Sequence, residues 1–353
     1  YIVFSDTVNR MMPKHHRELG LKVSTSNLCS EITLPTGVDH LGNDRTAVCC
    51  LSSLNLETWD DWNGDKQFIE DVMRFLDNVL SDYIARAPDE MARAKYSAER
   101  ERSVGLGVMG FHSFLQARSI PFEGAMAKSW NLKIFKHIRA QVDTASMMLA
   151  KERGPCPDAA DMGVMERFSC KMAIAPTASI SIICGGTSAC IEPIPANVYT
   201  HKTLSGSFVV KNPHLQRLLE SKSKDSDKVW NAILENGGSV AGLDFLTAEE
   251  KDVFKTSFEI DQRWLIELAA DRTPYIDQAQ SLNLFIPADV DKWDLLMLHF
   301  RAWELGMKSL YYLRSKSVQR AGFAGGVEAD NTPELKEIPL ASTTDYDECL
   351  ACQ

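Results

Sequence analysis

Two hydrophobic periods alternate along the chain. Phe68, Val72, Phe75, Leu76, Val79, Leu80 and Tyr83 recur every three to four residues, which predicts an amphipathic helix over 66–84. Ile134, Phe135, Ile138, Val142, Ala145 and Leu149 do the same within 126–152, and Gly154-Pro155 supplies a stop. Residues 1–60 read instead as short apolar segments between polar loops, with Ile2-Val3-Phe4 and Thr46–Leu51 as predicted strands. Residues 171–182 give a strand at Met172–Ala175 that runs into a Pro-Thr-Ala-Ser-Ile-Ser loop. Residues 206–270 read as mostly helical and peripheral, and 293–307 as a helix entering a strand at 309–313. Strands alternating with long helices predict an α/β architecture with a largely parallel sheet.

The last thirty residues break the pattern. Ala324 to Gln353 carry seven acids against one base, Lys336, with frequent Gly, Pro, Ser and Thr and no apolar period. Such a segment cannot bury enough surface to offset its ordering entropy, so 321–353 is expected to be a flexible acidic tail. Over the whole 353 residues, 44% are hydrophobic and the net charge is -10, which fits a globular chain with a large core. The acidic balance argues against nucleic-acid binding, which relies on Lys and Arg at phosphates. No apolar run reaches the length of a membrane span, and the start has no basic and apolar leader pattern. Nine cysteines without a leader argue against a disulfide framework and for a reducing, cytoplasmic setting.

Five constellations could carry chemistry. Ser26-Asn27-Leu28-Cys29-Ser30-Glu31, if extended, puts Asn27, Cys29 and Glu31 on one face: an amide, a thiol and a carboxylate able to act as a base. Of Cys49 and Cys50, opposite in direction on a strand, at most one can join that face. Cys349-Leu-Ala-Cys352 has the spacing of an exchangeable dithiol, and no second pair is nearby to complete a zinc site. Pro176-Thr177-Ala178-Ser179-Ile180-Ser181 could aim N–H and hydroxyl groups at a phosphate, although such loops are also common helix caps. Tyr311-Tyr312 reads equally as strand packing or as a pair of phenols passing an electron and a proton. Gly105-Leu-Gly107-Val-Met-Gly110 matches a dinucleotide fingerprint, but the charged residues 99–103 before it are no buried strand, so it is expected to start a closely packed helix.

Taken in order, S-N-L-C-x-E-I at 26–32, A-V-C-x-L-S-S-L-N-L at 47–56, P-T-A-S-I-S at 176–181 with I-E-P at 191–193, L-Y-Y-L-R-S at 310–315 and the final cysteine pair resemble the large subunit of class I ribonucleotide reductase. The runs at 197–208 look like the branch found in eukaryotes and some viruses. The resemblance implies that residues 1–320 form the C-terminal half of a ten-stranded α/β barrel with the radical cysteine on an internal finger loop. It implies that Cys29 becomes a thiyl radical and takes the ribose 3′ hydrogen, Glu31 is the base for the 3′ hydroxyl, and Ser26 and Asn27 contact the substrate. Cys49 would be one of two reducing thiols, Pro176 to Ile180 would bind the diphosphate, and Tyr311 and Tyr312 would relay the radical. Cys349 and Cys352 would reduce the Cys49 disulfide and be recharged by thioredoxin or glutaredoxin. No cofactor is expected on the chain itself. The radical would come from a metal-containing small subunit, and ATP and dNTP effectors would bind an N-terminal part.

The pattern departs from the family in two respects, one being that the family's N-terminal nucleotide-binding regulatory parts and first barrel strands have no counterpart in it. The family's other reducing cysteine lies upstream of the radical cysteine, and Cys156, Cys170, Cys184 and Cys190 do not match its context. A complementary N-terminal segment is therefore expected as a partner, within a homodimer of complete large subunits. The competing readings are a redox or metal-binding protein using only the tail dithiol, an adenosylcobalamin-dependent reductase, which would not need the tyrosine pair, and a noncatalytic half kept for assembly.

Overall fold

The computed structural model describes residues 1–203 and 206–315. The acidic tail, and with it Cys349 and Cys352, lies outside the described residues. The chain opens with strand β1 (Ile2–Val3), helices α1 (Ser5–Arg10) and α2 (Lys14–Glu18), a small hairpin of β2 (Gly37–Val38) and β3 (Asp44–Arg45), then β4 (Leu51–Asn55). Helices α3 (Trp59–Trp62), α4 (Lys66–Arg86) and α5 (Ala92–Glu101) lead to β5 (Gly105–Met109). Helices α6 (Phe111–Ala117), α7 (Ala125–Arg153), α8 (Pro157–Asp161) and α9 (Ala178–Ile183) follow. The remainder is a hairpin of β6 (Val198–Thr203) and β7 (Gly206–Lys211), helices α10 (Pro213–Ser221), α11 (Asp227–Glu235), α12 (Ala248–Val253) and α13 (Gln262–Arg272), β8 (Leu284–Ile286), α14 (Lys292–Glu304), β9 (Ser309–Leu310) and β10 (Leu313–Ser315).

The two long helices form where the apolar period placed them. The Asp65 side chain caps α4 by accepting from the Gln67 N–H, and Ile69, Met73, Leu76 and Leu80 are its buried stripe. Helix α7 buries Ile134, Phe135, Ile138, Val142, Ala145 and Leu149 and stops at Gly154, whose φ of +87° suits only glycine well. They pack on each other and, through α13, on one large core.

Strand β4 pairs in parallel with β5, from Leu51 opposite Gly105 to Asn55 opposite Met109. Parallel bridges at Leu106–Met172 and Ile174–Gln280 extend the series. Beyond it β8 and β10 pair in parallel, whereas β1 and β9 are antiparallel. The parallel order is present, but among the described residues the strands pair as five two-stranded ladders and do not close a barrel. No described helix is long and apolar enough to cross a membrane.

Several sequence expectations need correcting. Residues 46–50 are not a strand; pairing starts at Leu51. Gly105–Met109 is a fully buried strand, not the start of a helix. Only Gly110, with φ +78°, opens α6. The glycines are there for closeness: a Cβ at Gly107 would overlap the Ala173 carbonyl oxygen, and one at Gly105 would overlap Leu51. The expected loop at 176–181 becomes the short helix α9. Residues 206–270 are not uniformly peripheral helix: residues 198–254 contain a hairpin and a small core of their own around Leu215, Trp230 and Phe254, and α13 belongs to the main core.

The structure implies a pH dependence of stability. His15 is buried, and burial followed by the neighbouring His16 lowers its pKa to about 4. An unfolded histidine titrates near ~6.5. Between these values the unfolded chain binds a proton that the folded chain refuses, so stability falls as pH drops through this window, by about 2 kcal/mol at pH 5 from this group. Thermal midpoints measured from pH 7 to pH 5 should fall, and His15→Gln should flatten the slope. An unchanged slope would mean that His15 is not the group responsible.

Candidate active site

The segment 26–32 turns instead of running extended. Residues Leu28 and Cys29 form a turn closed by the Ser30 N–H donating to the Asn27 carbonyl at 3.1 Å. Ser30 sits in the left-handed region at φ +61°, which a non-glycine residue adopts only when its surroundings hold it there. Asn27 therefore does not point alongside Cys29 by alternation: its Oδ1 accepts from the Ile32 N–H at 3.1 Å and closes the loop from within. Ser26, half-buried, donates to the Asn27 carbonyl.

The turn carries Cys29 and Glu31 inward; they are 5% and 2% exposed. Segments distant in sequence hold it. Ala279 N–H donates to the Glu31 carbonyl at 2.8 Å, Ser30 Oγ donates to the Leu310 carbonyl at 3.3 Å, and Ser281 Oγ lies within 2.7 Å of both the Cys29 carbonyl and Glu31 Oε2. Cys49 lies open to solvent on one side and close to this group. The protein around its base, then the charges of Glu31, Cys50 and Cys29, push its thiol up to about 11. Cys50 points the other way into the core, with its Sγ 3.8 Å from the Leu76 carbonyl. Only one of the adjacent cysteines thus joins Cys29.

On the other side of the turn stand the tyrosines. Tyr311 is 3% exposed, and loss of hydration together with hydrogen bonds to Tyr312 and Cys29 pushes its phenol far above its usual range. The rings of Tyr311 and Tyr312 have centroids 4.1 Å apart. Tyr1, which carries no motif, stacks on Tyr311 at 5.5 Å and lies 5.4 Å from Tyr312. Tyr312, Tyr311 and Cys29 form a continuous chain of contacts from the rim of the site to its thiol.

Tyr311 also lines a cavity of about 370 Å³, within the range of small-ligand sites, together with Pro176, Ala178, Glu192, Asn283 and Arg314. Thr177 itself is committed inside the protein: its hydroxyl accepts from the Cys190 N–H at 2.6 Å. Ser179 and Ile180 are exposed in the first turn of α9, where helices leave N–H groups without intrahelical acceptors. Glu192 is buried, and burial raises its pKa despite the Asn283 N–H it accepts at 2.7 Å. A second cavity, of about 340 Å³ beside His214 and Arg217, contains none of the residues singled out from the sequence. Among the described residues no group of His, Cys, Asp and Glu is arranged to hold a metal.

A thiol in contact with a buried phenol, a carboxylate behind it and a second thiol beside it suit radical chemistry shielded from water. Comparison with known proteins gives the same direction. The ribonucleotide reductase barrel domain matches residues 1–161 and 162–313. The chain is 50% identical over 297 residues to the ribonucleoside-diphosphate reductase large subunit of Invertebrate iridescent virus 6, covering 83% of this chain and 30% of that protein. It is 46% identical over 321 residues to the large subunit of Invertebrate iridescent virus 3, covering 90% and 50%. The Actinobacillus ureae class Id ribonucleotide reductase alpha subunit superposes with a TM-score of 0.83 at 40% identity, over 92% of this chain and 59% of that one. The chain thus spans between 30% and 59% of the length of these relatives. With both its sequence and its fold matched over most of its length, this chain belongs to the ribonucleotide reductase barrel-domain family.

Proposed function

We propose that this chain carries the radical and substrate half of a ribonucleoside-diphosphate reductase large subunit. The observation that carries the reading is the contact series Tyr312, Tyr311, Cys29, which ends at a buried thiol beside Glu31 and Cys49. On this reading a small subunit supplies the oxidising equivalent, and Tyr312 and Tyr311 pass it to Cys29 as coupled electron and proton. The Cys29 thiyl removes the 3′ hydrogen of the ribose, and Glu31 takes the 3′ hydroxyl proton. Water leaves the 2′ carbon, and Cys49 is oxidised together with a second cysteine on large-subunit sequence outside the chain. Cys349 and Cys352, in a tail that begins near residue 321, reduce that disulfide and are recharged by thioredoxin or glutaredoxin. The diphosphate lies along 176–180, next to the cavity that Tyr311 shares, with Ser26 and Asn27 at the sugar.

The raised pKa of Cys49 suits a thiol that must stay protonated until it gives up hydrogen, and makes it a poor adventitious nucleophile at neutral pH. The test combines this chain with a matching N-terminal large-subunit segment, a radical-loaded small subunit and thioredoxin. Wild type should turn over ribonucleoside diphosphates repeatedly. Cys49→Ser should lose multiple turnover by at least about a hundredfold while still consuming the radical, because hydrogen abstraction precedes the step that needs Cys49. Sustained turnover by Cys49→Ser would remove it from the reducing pair.

A further inference from the structure

Ser281, in the stretch between α13 and β8, is fully buried. Its Oγ lies 2.6 Å from the Cys29 carbonyl oxygen and 2.7 Å from Glu31 Oε2. A hydroxyl has one proton to donate. A peptide carbonyl only accepts, and so does an ionised carboxylate, so Ser281 can satisfy one of the two at a time. A hydrogen bond to a charged acceptor is roughly twice as strong as one to a neutral acceptor. The proton therefore points to Glu31 while the carboxylate is charged, and turns to the Cys29 carbonyl once the carboxyl is neutral. In that second state the carboxyl can donate its own O–H to Ser281, which satisfies both short distances together.

We infer that Ser281 is a positioning residue that couples the protonation of Glu31 to the backbone of the turn bearing Cys29. This rests on the reading of Glu31 as the base for the substrate hydroxyl. Before hydrogen abstraction Ser281 donates to the Glu31 carboxylate and fixes where it points. When Glu31 takes the substrate proton, Ser281 loses no proton of its own; its O–H rotates and ties down the Cys29 carbonyl. The turn needs such a hold, because Ser30 beside it occupies a left-handed conformation and its other anchors are the Ala279 N–H and the Leu310 carbonyl. Among the described residues, Cys49, from the segment before β4, interacts with both Glu31 and Cys29, which share the turn.

The experiment uses the assembled enzyme described above. Ser281→Ala should lower kcat about tenfold to a hundredfold through misplacement of the base, with KM changed by less than about twofold. The acidic limb of the kcat/KM profile should move to higher pH, since the ionised carboxylate has lost a donor. Ser281→Thr, which keeps the hydroxyl, should return the limb to its place. Ser309→Ala removes another fully packed serine, one that donates to the Gln280 carbonyl at 2.9 Å, and should leave the limb where it is. Ser281→Gly replaces the alanine variant if that one does not fold. A wild-type kcat and an unmoved limb in Ser281→Ala would overturn the inference, as would an equal displacement in Ser309→Ala. Turnover by Cys29→Ser would instead defeat the radical reading on which it rests.

Discussion

Cys29→Ser is expected to abolish ribonucleotide reduction, by more than about 10⁴-fold, while the radical of the small subunit survives. The substitution is close to isosteric, and Cys29 is buried within a turn held by backbone bonds that its side chain does not make. Folding and assembly should therefore persist. The chemistry should not. A thiyl radical exchanges hydrogen with a ribose carbon reversibly because S–H and activated C–H bonds are of similar strength. An O–H bond is much stronger, so Tyr311 cannot oxidise a serine hydroxyl, and the relay stops at the phenol. Product measured by chromatography and the radical followed by electron paramagnetic resonance separate the two outcomes. Any sustained turnover by Cys29→Ser would remove this residue from the reaction and favour a role confined to the tail dithiol.

The sequence made the parts of this site legible but not their arrangement. Asn27, Cys29 and Glu31 stood out as residue types, yet the alternation argument assumed an extended segment, and a turn with a left-handed Ser30 brings Cys29 and Glu31 inward by another route. Nothing local announces that turn, since Ser is an ordinary residue there and the cause is the grip of Ser281 and Leu310, 250 and 280 positions away. Ser281 was invisible for the same reason: a serine in a polar stretch acquires meaning only from partners remote in sequence. The long helices α4 and α7 were readable because a 3.6-residue period over six turns leaves little ambiguity. The five-residue strands were not. Gly105–Met109 has one β-branched residue, Val108, and two glycines where a typical strand has side chains, because the glycines let Leu51 and Ala173 approach; the feature that hides the strand in the sequence is the packing that makes it.

A larger effect on stability is expected away from the site. Asp158, wholly buried, accepts from both terminal nitrogens of Arg45 at 2.6 and 2.9 Å and from Arg100 at 2.9 Å, with His16 Nε2 3.6 Å away. Burial alone would raise its pKa; the bonds from Arg45, with His16 close by, outweigh it and hold the carboxyl well below its ordinary range. This carboxylate joins α2, α5 and α8 to the end of β3, four residues before Cys49, so it fixes from behind the segment that presents that thiol. Asp158→Asn keeps the shape but removes the charge and turns an N–H₂ toward the arginines. Breaking one side of a buried pair costs about 3–5 kcal/mol, whereas replacing both sides by apolar groups can be neutral. One compensation exists. The fully buried Glu101 is pushed up to about 8 by burial, against the pull of Arg45, and further by Asp158, so losing Asp158 eases its ionisation beside the arginines. Its carboxyl accepts from Ser103 and makes no bond to Arg45, so the charge it would supply acts at a distance and recovers only part of the loss. The thermal midpoint of Asp158→Asn should fall by about 5 °C relative to wild type in matched calorimetric scans. A fall of less than about 2 °C would mean that Asp39, whose Oδ2 accepts from Arg45 Nε at 3.0 Å, and Glu101 suffice to hold Arg45, and that the anchoring of the Cys49 segment must be sought elsewhere.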